Sequence, residues 1–415
     1  MKSYLTIWLS LTAALLLAVA GVNLVVDPYG IFRVVDQPGL NHIKPKAGSH
    51  GEMGKAYQVL RVRPKGLILG NSRSEVGLDP EHGAWPAEAR PVYNLALPGT
   101  GTRTSIQYLQ HVLEAQKNHP PKVVLWGLDF MDFLVSGNAK PEKPGATKKD
   151  SRLLTNPDGT RNPGRTFKRL RDGAEATFTL GALVDSVATL RAQRDPYAQD
   201  LTVLGFNPMR DYIRITADEG YWAVFRQRDM ENIKAYLDRP QDIFDASGAS
   251  SPALDDLRRV IKLCREHGID LRLVTYPYHA HLLEIIHLTG HWTALENWKR
   301  ALVQIAHVEA VNAGLEPIPL WDFSLYNEYS QSAVPGKGDR KTANPWYWEA
   351  GHYKHELGGR MLDRVFGQPG TDTTLGVRLD PMNVEAVMAG QRDLGLVYRQ
   401  EHQEELNELA ARARR

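Results

Sequence analysis

Apolar residues along this chain fall into three patterns, and each predicts a different kind of element. The first is a single unbroken block. Residues 5–26, LTIWLSLTAALLLAVAGVNLVV, carry no charge and, at about 1.5 Å per helical residue, suffice to cross a hydrocarbon core of about 30 Å. The second pattern is five short apolar runs, 66–70, 92–95, 122–126, 271–276 and 317–321, each bounded by turn residues. Runs of that length suit strands buried on both faces. The third is a helical period, with apolar residues three or four apart over 104–116, 253–266 and 292–312. Strands alternating with helices predict an α/β fold, a three-layer sandwich whose mostly parallel five-stranded sheet is covered on both faces.

Where the rhythm breaks, the chain is expected to leave the sheet domain. Residues 27–61 are mixed and Gly/Pro-dotted, with DPYGIF at 27–32 as a turn leaving the apolar block, and read as a linker. Residues 136–250 begin in a Lys/Gly/Pro/Asn-rich stretch and then turn mostly helical, which predicts an insertion acting as a cap. The charged, Ala/Glu/Arg-rich residues 371–415 read as an exposed helical tail. The α/β domain is thus assembled from 62–135 and 251–370, after an N-terminal segment at 1–26.

Lys2 precedes the apolar block, which favours a cytoplasmic N-terminus with the rest exported. Two readings of the block remain, an uncut anchor and a signal peptide cleaved after Ala18-Val19-Ala20. Length favours the anchor, because the apolar run continues beyond that site. Both readings export the chain, and the expected location is the inner membrane with the main domain periplasmic. A net charge of +2 with 42% hydrophobic residues marks neither a disordered chain nor a nucleic-acid binder. Cys264 is the only cysteine, which excludes an intrachain disulfide framework and a multi-cysteine zinc site.

Candidate chemistry starts at GLILGNSRSEVGLDP, residues 66–80, where Ser72 follows the first expected strand. Open α/β sheets place their sites at that edge. Serine is a weak nucleophile alone and needs a base, itself oriented by a carboxylate. WYWEAGHYKHELGGRML, residues 346–362, supplies Glu349 and His352 three apart before an expected helix. That spacing lets the carboxylate receive Nδ1–H while Nε2 faces outward. Asp322, at the end of the fifth run, is a rival acid. Trp346, Tyr347 and Trp348 serve either as packing or as a face for sugar rings. His279, His281, His287 and His291 show neither the His-Glu-x-x-His arrangement nor a convincing carboxylate partner in the sequence, so no metal is assigned, and no cofactor is expected.

These blocks together resemble the SGNH hydrolase superfamily, in particular its membrane-anchored members similar to alginate O-acetyltransferase-type proteins, whose sheet is flavodoxin-like. Gly70-Asn71-Ser72-Arg73 is similar to the family's Gly-Asp-Ser-Leu block, Asn94 to Gly99 to its Asn-x-Gly-x-x-Gly block, and Glu349-Ala350-Gly351-His352 to its Asp-x-x-His block. The resemblance covers roughly 62–135 and 268–366. It implies Ser72 as nucleophile, His352 as base, Glu349 as triad acid and the Gly99 N–H as an oxyanion donor, joined by the backbone N–H of Ser72 or Arg73. One departure stands out, because Asp129 occupies the place of an Asn that donates to the oxyanion. An ionised Asp cannot donate, so the hole must rest on backbone N–H groups aided by Arg73, or Asp129 must be protonated. On that alignment Asp129→Asn is expected to preserve or raise turnover.

The resemblance implies O-acetyl transfer to or from a cell-envelope polysaccharide, with the membrane, an acyl-sugar substrate and a membrane-bound acyl donor protein as partners. Two alternatives stand beside it. One is a plain esterase; the other, which Asp129 favours, is an inactive SGNH-like scaffold that binds polysaccharide.

Overall fold

A computed structural model describes residues 2–138 and 150–413. The Lys- and Gly-rich opening of the expected cap falls partly outside them. In chain order the principal elements are helix α1 (Lys2–Val26), α2 (Gly51–Val62), strand β1 (Gly66–Leu69), α3 (Ser72–Gly77), β2 (Val92–Asn94), α4 (Thr102–Ala115) and β3 (Val123–Leu128). Four helices follow, α5 (Arg165–Phe178), α6 (Leu180–Ala192), α7 (Arg210–Glu219) and α8 (Tyr221–Leu237). The chain then runs through α9 (Pro252–Glu266), β4 (Asp270–Thr275), α10 (Ala280–Leu288), α11 (Trp292–Val303), α12 (Glu309–Asn312) and β5 (Leu320–Asp322). It ends with β6 (Tyr347–Glu349), β7 (His352–Tyr353), α13 (His355–Val365), β8 (Val377–Arg378), α14 (Val384–Glu401) and α15 (Gln403–Ala413).

The fold is α/β. Strand order in the main sheet is β2-β1-β3-β4-β5-β8, with the first five parallel and β8 antiparallel to β5. All five expected strands are present, and β8 makes the sheet six-stranded rather than five-stranded. Two residues, Val377 and Arg378, give too short a run for a periodic signal. Every residue of β1 and β3 is buried; since side chains alternate across a strand, both faces there are covered. β1 lies between β2 and β3, so the chain leaves it first to one side and then to the other, and the ends of β1 and β3 flank the switch point of the sheet.

Two expected boundaries are corrected. Residues 27–61 are not a linker, because α2 buries Ala56 and Val59 in the main core and places Lys55 wholly out of solvent. Residues 371–415 are not merely exposed, since β8 joins the sheet and Val384, Met388, Tyr398, Leu406 and Leu409 enter the core. Residues 136–250 carry the helices α5 to α8, whose two halves do different things. α7 and α8 reach the sheet edge that carries Ser72, whereas α5 and α6 pack against α1. Helix α1 is long and apolar enough to cross a membrane.

Candidate active site

Ser72 is placed by the turn that ends β1. Gly70 adopts φ of +140°, a region L-residues rarely enter, and a Cβ there would collide with the Tyr276 hydroxyl and Ser74 Oγ. Asn71 then caps α3, its Oδ1 accepting from the Arg73 N–H at 3.1 Å. Ser72 becomes the first residue of α3, half-buried, with its hydroxyl facing a cavity. From the neighbouring strand end Asn94 Nδ2 donates to the Ser74 and Leu78 carbonyls, at 2.8 and 2.9 Å, and so holds the far side of α3. The Asn94 block therefore acts on the helix that carries Ser72.

Glu349 and His352 face one another across the two-residue hairpin of β6 and β7. Residues directly opposed in an antiparallel pair project to the same face, which turns a spacing of three in sequence into a side-chain contact. Glu349 Oε1 accepts from His352 Nδ1 through a short contact, and Oε2 accepts from the Gly351 N–H at 2.7 Å. His352 Nε2 stands 2.8 Å from Ser72 Oγ. With the proton on Nδ1 held by the carboxylate, Nε2 is left to accept from the serine. Glu349 is 2% exposed. Burial alone would raise its carboxyl, but the His352 charge and hydrogen bond, the Gly351 N–H and Arg228 outweigh it and hold the group at about 2. The rival acid Asp322 is fully buried elsewhere, paired with Lys299 Nζ at 2.8 Å and accepting from Thr275 Oγ1 at 2.7 Å.

The expected oxyanion roles of Asp129 and Arg73 are corrected. Asp129 Oδ2 accepts from Asn71 Nδ2 at 2.6 Å and from Arg73 Nη1 through a short ion pair. Its Oδ1 accepts from the Tyr278 hydroxyl at 2.7 Å and from the Met131 N–H at 3.3 Å. With donors converging on both oxygens, this carboxyl serves as an acceptor within the fold rather than as a donor to an oxyanion. The Arg73 side chain is equally committed. Its Nε donates to the Gly351 carbonyl at 2.7 Å, and its guanidinium lies 5.3 Å from the Tyr278 ring centre. The Arg73 N–H is taken by Asn71 Oδ1. The N–H groups of Ser72 and Gly99 remain without a protein partner among the described residues. Gly99 is exposed beside Pro98, which lines the same cavity as Ser72.

That cavity, about 290 Å³, is also lined by groups that sequence reading did not nominate. Tyr212 from α7 and Arg228 from α8 line it together with Ser72 and His352, the guanidinium donating to the Tyr212 hydroxyl. No local motif marks either residue. Glu75, on α3, pairs at 2.8 Å with the wholly buried Lys55 Nζ, which also donates to the Ala96 carbonyl. A neighbouring cavity of about 600 Å³ is bounded by Tyr221, Phe206, Trp348, Arg210, Arg340 and Lys354. The aromatic run is mainly packing. Tyr347 is fully buried, and Trp348, 6% exposed, has Lys354 Nζ 4.5 Å from its ring centre.

The histidine-rich stretch is structural in its contacts. His281 lies between Asp229 Oδ2 at 3.0 Å and Glu405 Oε1 at 2.8 Å, while His279 Nε2 meets the Ser332 carbonyl and His291 Nε2 the Pro240 carbonyl. Among the described residues no cluster fit to hold a metal ion occurs. No protein-family model and no curated protein matches the chain.

Proposed function

We propose that this protein is an exported, membrane-anchored serine acyl-ester enzyme of SGNH-like, three-layer architecture, transferring O-acetyl groups to or from a cell-envelope polysaccharide. The observation that carries the reading is the continuous chain from Ser72 Oγ through the His352 ring to the buried, ionised Glu349. Ser72 Oγ attacks the ester carbonyl carbon as its proton passes to His352 Nε2, and the imidazolium that results is stabilised by Glu349. The carbonyl oxygen becomes an oxyanion held by the Ser72 and Gly99 N–H groups. Collapse of the tetrahedral intermediate breaks the bond to the leaving alcohol, which takes the proton from His352 and leaves an acyl-Ser72. Water or a sugar hydroxyl, deprotonated by the same His352, then attacks that acyl group and frees Ser72 Oγ.

The polar side chains among those lining the Ser72 cavity, Gln199, Asn207, Asp211 and Arg228, and the adjoining basic and aromatic cavity support an extended hydroxylated substrate. The length of α1 and the Lys2 before it support anchoring with the domain outside the cytoplasm. The test is covalent labelling of the full chain by a fluorophosphonate probe. Wild-type protein is expected to label at Ser72, with Ser72→Ala unlabelled and its turnover of an aryl acetate lower by about 10⁴-fold or more. Wild-type protein that neither labels nor turns over, yet binds polysaccharide, would replace this reading with that of an inactive scaffold.

A further inference from the structure

Helices α5 and α6 have their polarity reversed. Phe167, Leu170 and Phe178 recur at helical spacing along one side of α5 and are 75%, 68% and 53% exposed, sharing that side with the exposed Arg171–Glu175 ion pair. Leu180, Val184 and Val187 do the same on α6, at 71%, 68% and 40%. The inward positions are small or polar, with Asp172, Ala176, Ala182, Ser186 and Thr189 all buried. A helix on a water-facing surface shows the opposite arrangement, with its apolar stripe turned to the core. Large apolar residues outside and small or hydrogen-bonded residues at the helix contacts are how helices pack in lipid.

The hairpin is also continuous with the apolar N-terminal helix. Asn23 of α1 is fully buried, its Nδ2 donating to the Thr177 and Thr179 carbonyls at 2.9 and 3.2 Å and its Oδ1 accepting from Ser186 Oγ at 3.0 Å. Asn23 lies three residues before the end of α1, about 4.5 Å along its axis at 1.5 Å per residue. The turn between α5 and α6 is therefore level with the last apolar turn of α1. A separate apolar cluster of Tyr29, Ile31, Met53, Ala176 and Ala182 locks the exit of α1 to the hairpin. Beside it Arg61, Arg165 and Arg169 line a cavity of about 330 Å³, and Arg169 has no acidic or hydrogen-bonding partner among the described residues. Arg61 donates to the Phe32 carbonyl and Arg165 to the Arg152 carbonyl, so it is the Arg169 guanidinium that is left to complement a lipid phosphate at that level.

We infer that the α5–α6 hairpin is a second membrane element, sunk into the acyl chains of the leaflet where α1 ends, so that the enzyme domain is held at two points. This rests on the reading of α1 as a membrane anchor. A hairpin docked beside the anchor fixes the domain's orientation to the bilayer, where a single helix alone leaves it free to swing.

Cys264 is wholly buried, so the full chain accepts single labelled cysteines and the wild type serves as blank. Leu170→Cys, Val184→Cys, Leu15→Cys in α1 and Val311→Cys in α12 are each labelled with a nitrobenzoxadiazole fluorophore in phosphatidylcholine–phosphatidylglycerol vesicles. Doxyl-labelled lipid is expected to quench the hairpin positions and Leu15→Cys several-fold more than Val311→Cys, and aqueous iodide to act in the reverse order. Lipid quenching at Leu15→Cys alone, with hairpin positions open to iodide or shielded from both quenchers, overturns the inference and leaves the anchor standing. No lipid quenching at Leu15→Cys overturns both.

Discussion

Replacing Asp129 by asparagine separates the place of this residue from the role its motif position implies. Asp129 is the carboxylate partner of Arg73, whose side chain is 9% exposed. The substitution keeps the shape but removes the charge, and turns one acceptor oxygen into an NH₂ that must face either the Asn71 and Arg73 donors or the Met131 N–H and the Tyr278 hydroxyl, which donates to Asp129 in the native protein. Breaking a buried pair by neutralising one member costs about 3–5 kcal/mol, because the remaining ion stays out of water. Since each kcal/mol moves the midpoint of a domain of a few hundred residues by about 2–4 °C, Asp129→Asn is expected to lower it by roughly 6–20 °C. Arg73 Nε also holds the Gly351 carbonyl, in the turn between Glu349 and His352. A shift of His352 by about 1 Å is worth about 10²-fold in rate, so turnover of an aryl acetate is expected to fall by about 10- to 100-fold. Adding Arg73→Met removes the stranded charge and should recover much of the midpoint without recovering the rate. The assay is a thermal melt of the solubilised full chain beside steady-state turnover. Wild-type stability with equal or faster turnover in Asp129→Asn would refute the ion-pair account and restore a donor role at this position.

Two further outcomes follow from packing and charge. A Cβ at Gly358 would fall inside van der Waals contact of the Gly77 carbonyl, so Gly358→Ala should separate α13 from α3, cost about 1–3 kcal/mol or more, and lower both melting midpoint and Ser72 labelling; an unchanged midpoint would contradict the close approach. Burial would lower the His281 pKa, but Asp229 and Glu405 outweigh it and raise it from 6.5 to about 10. Its contribution to stability is then complete below about pH 6.5 and lost as pH rises through about 10. Melting midpoints should fall across that interval, and Glu405→Gln should flatten the fall; identical slopes in the two proteins would show that His281 does not tie α15 to the core.

What could be read in the sequence is what short-range order encodes. The strands ending at Leu69, Asn94 and Leu128 announce themselves as apolar runs, and parallel pairing then brings Ser72, Pro98 and Asp129 to one edge without any long-range information. Glu349 and His352 are legible because a two-residue turn fixes their contact locally. Helix α2 escapes because Lys55 and Gln58 stand on its buried side and break the apolar period, each tolerated only because a partner far along the chain, Glu75 for the one and the Gly30 carbonyl for the other, receives its donors. Asp129 is misread for a related reason. A motif fixes where a residue lies on a strand end, but its protonation and aim depend on Arg73, Asn71 and Tyr278 converging on it. Arg228 and Tyr212 reach the cavity from helices whose docking no local pattern specifies.

The reversed hairpin shows the same limit from the other side. Its apolar spacing is visible in the sequence, and helical periodicity states that one face differs from the other, but it does not state which face meets the protein. That choice depends on long-range partners, among them Asn23, whose amide donates to the Thr177 and Thr179 carbonyls and whose oxygen accepts from Ser186. An amide with no partner in an apolar helix would cost several kcal/mol in hydrocarbon. Satisfying it draws the small, polar side of the hairpin inward and leaves Phe167, Leu170, Leu180 and Val184 outward. A polar residue within the apolar N-terminal helix thus acts with the Tyr29–Asp185 and Tyr57–Asp172 hydrogen bonds and the Tyr29–Ile31–Met53–Ala176–Ala182 cluster in turning the insertion.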